Sequence, residues 1–229
     1  MTTRSYVVCT TKPWNVSAFR SHVPLWAGNW RLIEKPGDLT IAVLEQVAPR
    51  YIFFPHWSWR VPSEILNRFE CVCFHMADVP YGRGGSPLQN LISRGHKSTM
   101  LTALRMVEEL DAGPVYIKRP LSLAGRAEEI FIRAAGLVCD LILDIVTHEP
   151  KPIPQTGDPI IFRRREPAES EVPKSGSATS LYDFIRMLDA PTYPKAFLEW
   201  GKWRFEFDHA IETGDSVEAH VVIRAKDQA

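Results

Sequence analysis

The sequence carries no surplus of either charge: 27 lysines and arginines balance 27 aspartates and glutamates. A protein that meets nucleic acid through its overall field carries a basic excess, so the balance argues against a nucleic-acid partner. No apolar run approaches the roughly 18 residues that a membrane span needs. The N-terminal MTTRSYVVCTTKP holds an apolar stretch too short for a secretory leader. These absences predict a cytoplasmic protein that does not engage a membrane. Cysteine is sparse as well. Cys9, Cys71, Cys73 and Cys139 follow no framework spacing, which predicts reduced thiols rather than disulfides. Internal repeats are absent, and neither a Walker sequence nor the dinucleotide-binding fingerprint occurs.

What is present is ordinary globular material, 45% apolar and 24% charged over 229 residues. That length suits one large domain, or one domain with a small appendage. The first half alternates strand-like and helix-like segments. Ser5–Thr10, Trp30–Glu34, Tyr51–Phe54 and Glu70–His75 read as strands, and Pro13 suits a helix's first turn. Asp38 is placed to cap a helix through Ile41, Val43, Leu44 and Val47. Thr99–Met106 and Pro114–Leu121 flank a Glu108–Gly113 loop, and Arg126–His148 is a long helix stopped by Pro150 and Pro152. The alternation predicts an α/β fold, a Rossmann-like, mostly parallel sheet flanked by helices. After 165 the composition turns charged, then small and polar, so residues 166–179 read as a linker. Residues 180–229 then read as a small C-terminal subdomain, a helix plus a β-hairpin with turns at Gly201 and Gly214.

The chemistry concentrates in Phe74–Asn90, FHMADVPYGRGGSPLQN. A histidine ends an apolar strand, and a loop with three glycines and an arginine precedes a helix. Such glycines either let backbone N–H groups approach a ligand or simply close a tight turn. A helix beginning at Ser86 or Pro87 would favour an anion at its N-terminus. Cys71, Cys73 and His75 alternate onto one strand face. Three ligands so close on one strand rarely close a tetrahedron, and no metal is expected.

Phe74–Pro87 followed by Met106–Gly113 (MVEELDAG) resembles the folate-dependent formyltransferases. His75, Val79-Pro80, Arg83-Gly84, Pro87 and Leu110-Asp111-Ala112-Gly113 follow that family's order at nearly its spacing, with one extra loop residue. The family's asparagine falls on Cys73, a weak donor. The likeness covers residues 1 to about 165. Leu181–Phe197 resembles the start of the C-terminal region in formyltransferases acting on amino sugars, those of the pseudaminic-acid-pathway type.

The resemblance implies N10-formyltetrahydrofolate as donor. It implies His75 as the base, Asp111 as its partner, and Cys73 as the third catalytic position. The folate positions it implies are Trp57, Trp59 and Val61 in one loop and Met106, Val107, Glu108 and Leu110 in the acidic loop. Trp57 and Trp59 suit a heterocycle, or equally a core or lid. Acceptor contacts would come from Asp78, Tyr81, Gly82, Arg83, Gly84, Gly85 and Asn90. Arg83 either meets anionic groups of the acceptor or braces the loop, and Asp78, Asn90 or loop N–H groups could replace the missing asparagine. The short C-terminal part and the balanced charge point to an amino-sugar acceptor, free or nucleotide-linked. A formyl-folate hydrolase and a non-catalytic folate or nucleotide-sugar binding module stay open, as does a homodimer.

Overall fold

The apolar runs become the middle of a sheet because no other arrangement buries both of their faces. The computed structural model describes residues 3–226. In chain order its first elements are β1 (Ser5–Cys9), α1 (Pro13–His22), β2 (Asn29–Ile33), α2 (Ile41–Val47), β3 (Tyr51–Pro55), α3 (Ser63–Arg68) and β4 (Cys71–His75). Next come β5 (Tyr81–Gly84), α4 (Pro87–Ser93), β6 (Ser98–Arg105), β7 (Val115–Ser122), α5 (Ala127–His148) and β8 (Ile160–Phe162). Six strands form one sheet in the order β2-β1-β3-β4-β6-β7. The pairs β1–β2, β1–β3 and β3–β4 are parallel, while β6 runs antiparallel to β4. The sheet is therefore α/β and mostly parallel, as the alternation predicts. Every residue of β3 is buried, which is why YIFFP is continuously apolar rather than alternating.

One core cluster joins Val7, Cys9, Ile33, Leu44, Ile52, Phe54, Val61, Ile65 and Cys71. At about 25 cal/mol per Å² of buried apolar surface, such clusters supply the main drive for folding. No helix among the described residues is long and apolar enough to cross a membrane.

Two local expectations need correction. Asp38 does not cap α2; it ends a short 3-10 turn, Pro36–Asp38. Thr40 is the cap: its backbone is extended (φ −119°, ψ 154°) and its Oγ1 accepts from the Val43 N–H at 3.3 Å. The second miss is β8, a three-residue strand that pairs with β5 inside a proline-rich stretch and is too short to show a period.

The chain forms two compact units. One takes the chain up to Gly84, with Met100–Leu121 and Phe131–Ile161; the other takes Gly85–Thr99, Ser122–Ile130 and everything from Phe162. The second unit contains α6 (Ala178–Arg186), β9 (Ala196–Trp200), β10 (Trp203–Thr213) and β11 (Ser216–Ala225), an antiparallel sheet in the order β11-β10-β9. Gly201 and Gly214 make its turns with φ of 57° and 63°. Residues 166–179 carry local order. Glu166 and Glu169 close a reciprocal capping box around the turn Pro167–Ser170, and the Val172 N–H bonds to the Phe197 carbonyl at 2.7 Å. Arg186 is buried yet satisfied, on Asp183 Oδ1 at 2.6 Å and on the Leu123 and Gly125 carbonyls at 2.7 and 2.8 Å.

Candidate active site

β4 lies between β3 and β6, so its last residue, His75, is delivered to the carboxyl end of the sheet's centre. In open α/β sheets that end carries the ligand crevice. His75 is buried, with Nε2 2.7 Å from the Gly82 carbonyl and Nδ1 3.4 Å from Asp111 Oδ2. The same Asp111 oxygen accepts the Gly84 N–H at 3.0 Å. Nε2 is thus hydrogen-bonded with the Gly82 carbonyl, while Nδ1 approaches the Asp111 carboxylate more loosely. With side chains 8% and 10% exposed, His75 and Asp111 interact in a setting that water screens weakly. Gly82 and Gly84, at φ of 81° and 104°, give the loop the backbone it needs to reach both residues.

Asp111 is held in place by its backbone. It adopts the left-handed region (φ 54°), which aspartate tolerates better than most residues. Two positions on, a Cβ at Gly113 would lie 1.8 Å from the Arg105 carbonyl oxygen, so only glycine fits there. The Gln155 amide donates to the Asp111 and Gly113 carbonyls, both at 2.8 Å. Arg83 completes the brace, with Nε on Gln155 Oε1 at 3.0 Å and Nη1 3.4 Å from Glu109. Gln155 is missing from the sequence-based site because nothing in PIPQTG marks it.

Cys73 lies on β4 two residues before His75 and packs, half-buried, against the core cluster. Burial, and then the Asp111 carboxylate, push its thiol well above the ordinary value. Burial likewise pushes the Cys71 thiol up to about 12. Cys73 is therefore a neutral thiol at neutral pH and neither a nucleophile nor a strong donor.

The implied folate positions fall into two groups. Val61 is inside the core cluster, and Trp57 and Met106 pack against that cluster alongside Cys73. The rings of Trp57 and Trp59 lie 5.1 Å apart, and Trp59 is half exposed. Trp57 Nε1 is buried without a hydrogen-bond partner among the described residues. An apolar shelf with one unused donor fits a flat heterocycle that carries an acceptor. Val107, Glu108 and Leu110 are exposed on the acidic loop.

The implied acceptor positions are more scattered. Asp78 accepts from Lys118 Nζ at 2.5 Å, and Lys118 also reaches the Val79 carbonyl at 2.7 Å. These residues border a shallow depression of about 430 Å³ that Val79, Tyr116, Ile153 and Gln155 also line; His75 is not among its walls. The Tyr81 N–H is bonded to the Asp78 carbonyl at 3.1 Å, and Val79-Pro80 is a cis peptide. In the second unit, Gly85 has no room for a Cβ, which would come 2.4 Å from the Arg164 side chain. Asn90 does not offer a spare amide: its two hydrogens are shared among the carbonyls of Gly85, Ser86 and Arg163 at 3.2, 3.0 and 3.1 Å. Asn90 thus clamps a loop. Ser86 Oγ is likewise occupied by the Arg165 N–H at 3.0 Å.

Comparison with known proteins gives a consistent set of likenesses. Residues 167–224 match a family model described as the methionyl-tRNA formyltransferase C-terminal domain. A methionyl-tRNA formyltransferase of Bacillus pumilus is 26% identical over 204 residues, covering 84% of this chain and 62% of that protein. The chain thus spans about three fifths of the length of that curated relative. A solved structure, "Methionyl-tRNA formyltransferase from Clostridium thermocellum", is 41% identical, covers 97% of this chain and 99% of its own, and superposes with a TM-score of 0.95. HypX from Aquifex aeolicus in complex with tetrahydrofolic acid (17% identity, TM-score 0.73, 90% of this chain and 37% of its own) shares the fold. So does a 4-N formyltransferase from Francisella tularensis (14% identity, TM-score 0.65, 99% of both chains).

Proposed function

Because this chain belongs to the formyltransferase family, we propose that it moves a formyl group from N10-formyltetrahydrofolate to an amine, with His75 and Asp111 as its catalytic pair. The observation that carries the reading is the Asp111 carboxylate, shared between the buried His75 Nδ1 and the Gly84 N–H. The donor supplies an activated formyl carbon; the protein supplies the proton handling. Attack requires a neutral amine, and the proton it releases needs an acceptor within reach. His75 takes that proton and returns it to the departing folate nitrogen as its bond to the formyl carbon breaks, and the Asp111 carboxylate stabilises the imidazolium between the two steps. Donors that meet charge developing on the formyl oxygen are worth about 3 kcal/mol each in other acyl transfers. With a neutral thiol at Cys73, protonated His75 is the strongest donor nearby. The shelf of Trp57, Met106 and Trp59 supports the placement of the folate ring beside this pair.

For the acceptor, charge supports an amino sugar. Between residues 178 and 226 there are eight Asp and Glu against six Lys and Arg, and the whole chain is neutral. RNA binding draws on phosphate neutralisation by a basic face. The second reading is an aminoacyl-tRNA, favoured by the names of the similar proteins and by the match over 167–224. An assay of tetrahydrofolate release decides among these. Release that depends on an amino sugar supports the first reading, and release that depends only on methionyl-tRNA replaces it. Release independent of any amine marks a hydrolase, and the absence of turnover with all acceptors overturns the enzymatic reading.

A further inference from the structure

We propose that Asp208, His209 and His220 form a binding site for a divalent cation of the zinc class, with three protein ligands and an open fourth position. The site belongs to the antiparallel sheet of the second unit and does not depend on the formyl-transfer reading.

Asp208 and His220 are directly opposed partners of β10 and β11, so their side chains share a face. His209, the next residue, would ordinarily point away, since neighbours on a strand alternate. The register breaks at this place. Between the pairs Asp208–His220 and Ile211–Glu218, two residues of β10 oppose one of β11. His209 sits in this bulge with a left-handed backbone, φ 51°. That conformation is unusual for a residue with a Cβ, and bulges commonly serve to re-aim one side chain. Here the bulge turns His209 back onto Asp208. Nδ1 of His209 and Nδ1 of His220 each lie 2.8 Å from the same oxygen, Asp208 Oδ1.

The three ligand atoms fall within 4.8 Å of one another. A tetrahedral zinc with bonds of 2.0–2.1 Å separates its ligand atoms by about 3.3 Å. The two imidazoles are well exposed, at 61% and 62%, so ring rotations are free to open the 2.8 Å contacts and to bring the ligand atoms, now within 4.8 Å of one another, to that spacing. When Nδ1 ligates, the ring proton resides on Nε2, so the step needs no other reactant.

The surroundings hold the carboxylate and the bulge in this arrangement. Lys195 Nζ lies 3.5 Å from the other carboxylate oxygen, Asp208 Oδ2, and leaves Oδ1 to the imidazoles. The His209 N–H donates at 2.8 Å to the buried Asp189, which also takes Lys195 at 2.5 Å. Such outer contacts orient first ligands in metal sites. Two imidazoles with one carboxylate select a borderline cation such as zinc over magnesium or calcium, which prefer all-oxygen sets. Bound metal would clip β10 to β11.

The test is titration of the chelator-treated full chain with Zn(II) by calorimetry, with Co(II) absorption as a geometric probe. One equivalent is expected, with a tetrahedral cobalt spectrum and a higher melting temperature in zinc. His209→Ala/His220→Ala should stay folded by circular dichroism and bind at least tenfold more weakly, while His22→Ala binds normally. Asp208→Asn should also weaken binding. Absence of stoichiometric uptake by the wild type, or undiminished uptake by the double variant, overturns the proposal. An equal response to Mg(II) overturns the zinc-class assignment.

Discussion

The side-chain amide of Gln155 bonds to the main-chain carbonyl of Asp111 at 2.8 Å, across 44 residues of sequence. A second bond from the same amide reaches Gly113. The acidic loop is therefore latched from outside itself, and the aspartate that faces His75 owes its position to a residue that never touches the imidazole.

Replacing Gln155 should loosen this loop. Gln155→Ala removes three hydrogen bonds, two to the loop carbonyls and one from Arg83, each worth about 1 kcal/mol net. It should lower stability by about that much per bond and raise KM for the donor more than it lowers kcat. Gln155→Glu should be worse than alanine, since a carboxylate would oppose two carbonyl oxygens. Steady-state kinetics with both variants checks this, and alanine kinetics indistinguishable from wild type would remove the latch role.

His75→Ala and Asp111→Asn should each reduce turnover by about a thousandfold, within the range for positioned acid–base groups, with the fold intact. Asparagine is chosen at 111 because it too tolerates a left-handed backbone. Near-normal turnover by either variant would refute the catalytic pair.

Cys73→Ser should stay within about tenfold of wild type, because a neutral thiol is already a weak donor. In the same vein, Cys73 should resist alkylation at neutral pH in the folded protein. A loss matching that of His75→Ala would assign the thiol a direct role.

Gly113→Ala should destabilise the protein by about 2–4 kcal/mol, as severe steric conflicts do, because the new methyl would collide with the Arg105 carbonyl. Urea unfolding measures it. A change under about 0.5 kcal/mol would mean that the loop relaxes freely.

A pH dependence follows from Asp189. Burial disfavours its ionised form, but hydrogen bonds from Lys195 and the His209 N–H, with Arg126 nearby, outweigh burial and hold its pKa below the usual carboxylate value. A depressed folded pKa contributes stability above the unfolded pKa of about 3.9 and loses it as pH falls through the lower folded value. Asp189→Asn should thus be less stable than wild type at neutral pH, and the gap should close below about pH 4. A gap that persists unchanged in acid would assign the loss to packing.

How much of this was legible beforehand varies by element. The strand β3 declares itself because every position is buried and apolar, and β1 and β4 follow as nearly continuous apolar runs. His75 and Asp111 stand out because each punctuates such a run or a turn, at a spacing that resembles a family. Cap and edge details were less readable: Thr40 and Asp38 are both good caps in isolation, and only the backbone entering α2 chose between them.

Local sequence thus determined the buried strands and the glycine-bearing loop, since burial and turn chemistry act over a few residues, while the pairing of His75 with Asp111 was implied only by the family resemblance. Tertiary structure alone decided that Gln155 holds Asp111, that Arg83 bonds to Gln155, and that Asn90 is committed to three carbonyls. It also decided that a bulge turns His209 toward Asp208 and His220. Hydrogen bonds between distant segments depend on where the chain returns, and a strand's alternation holds only until its register breaks.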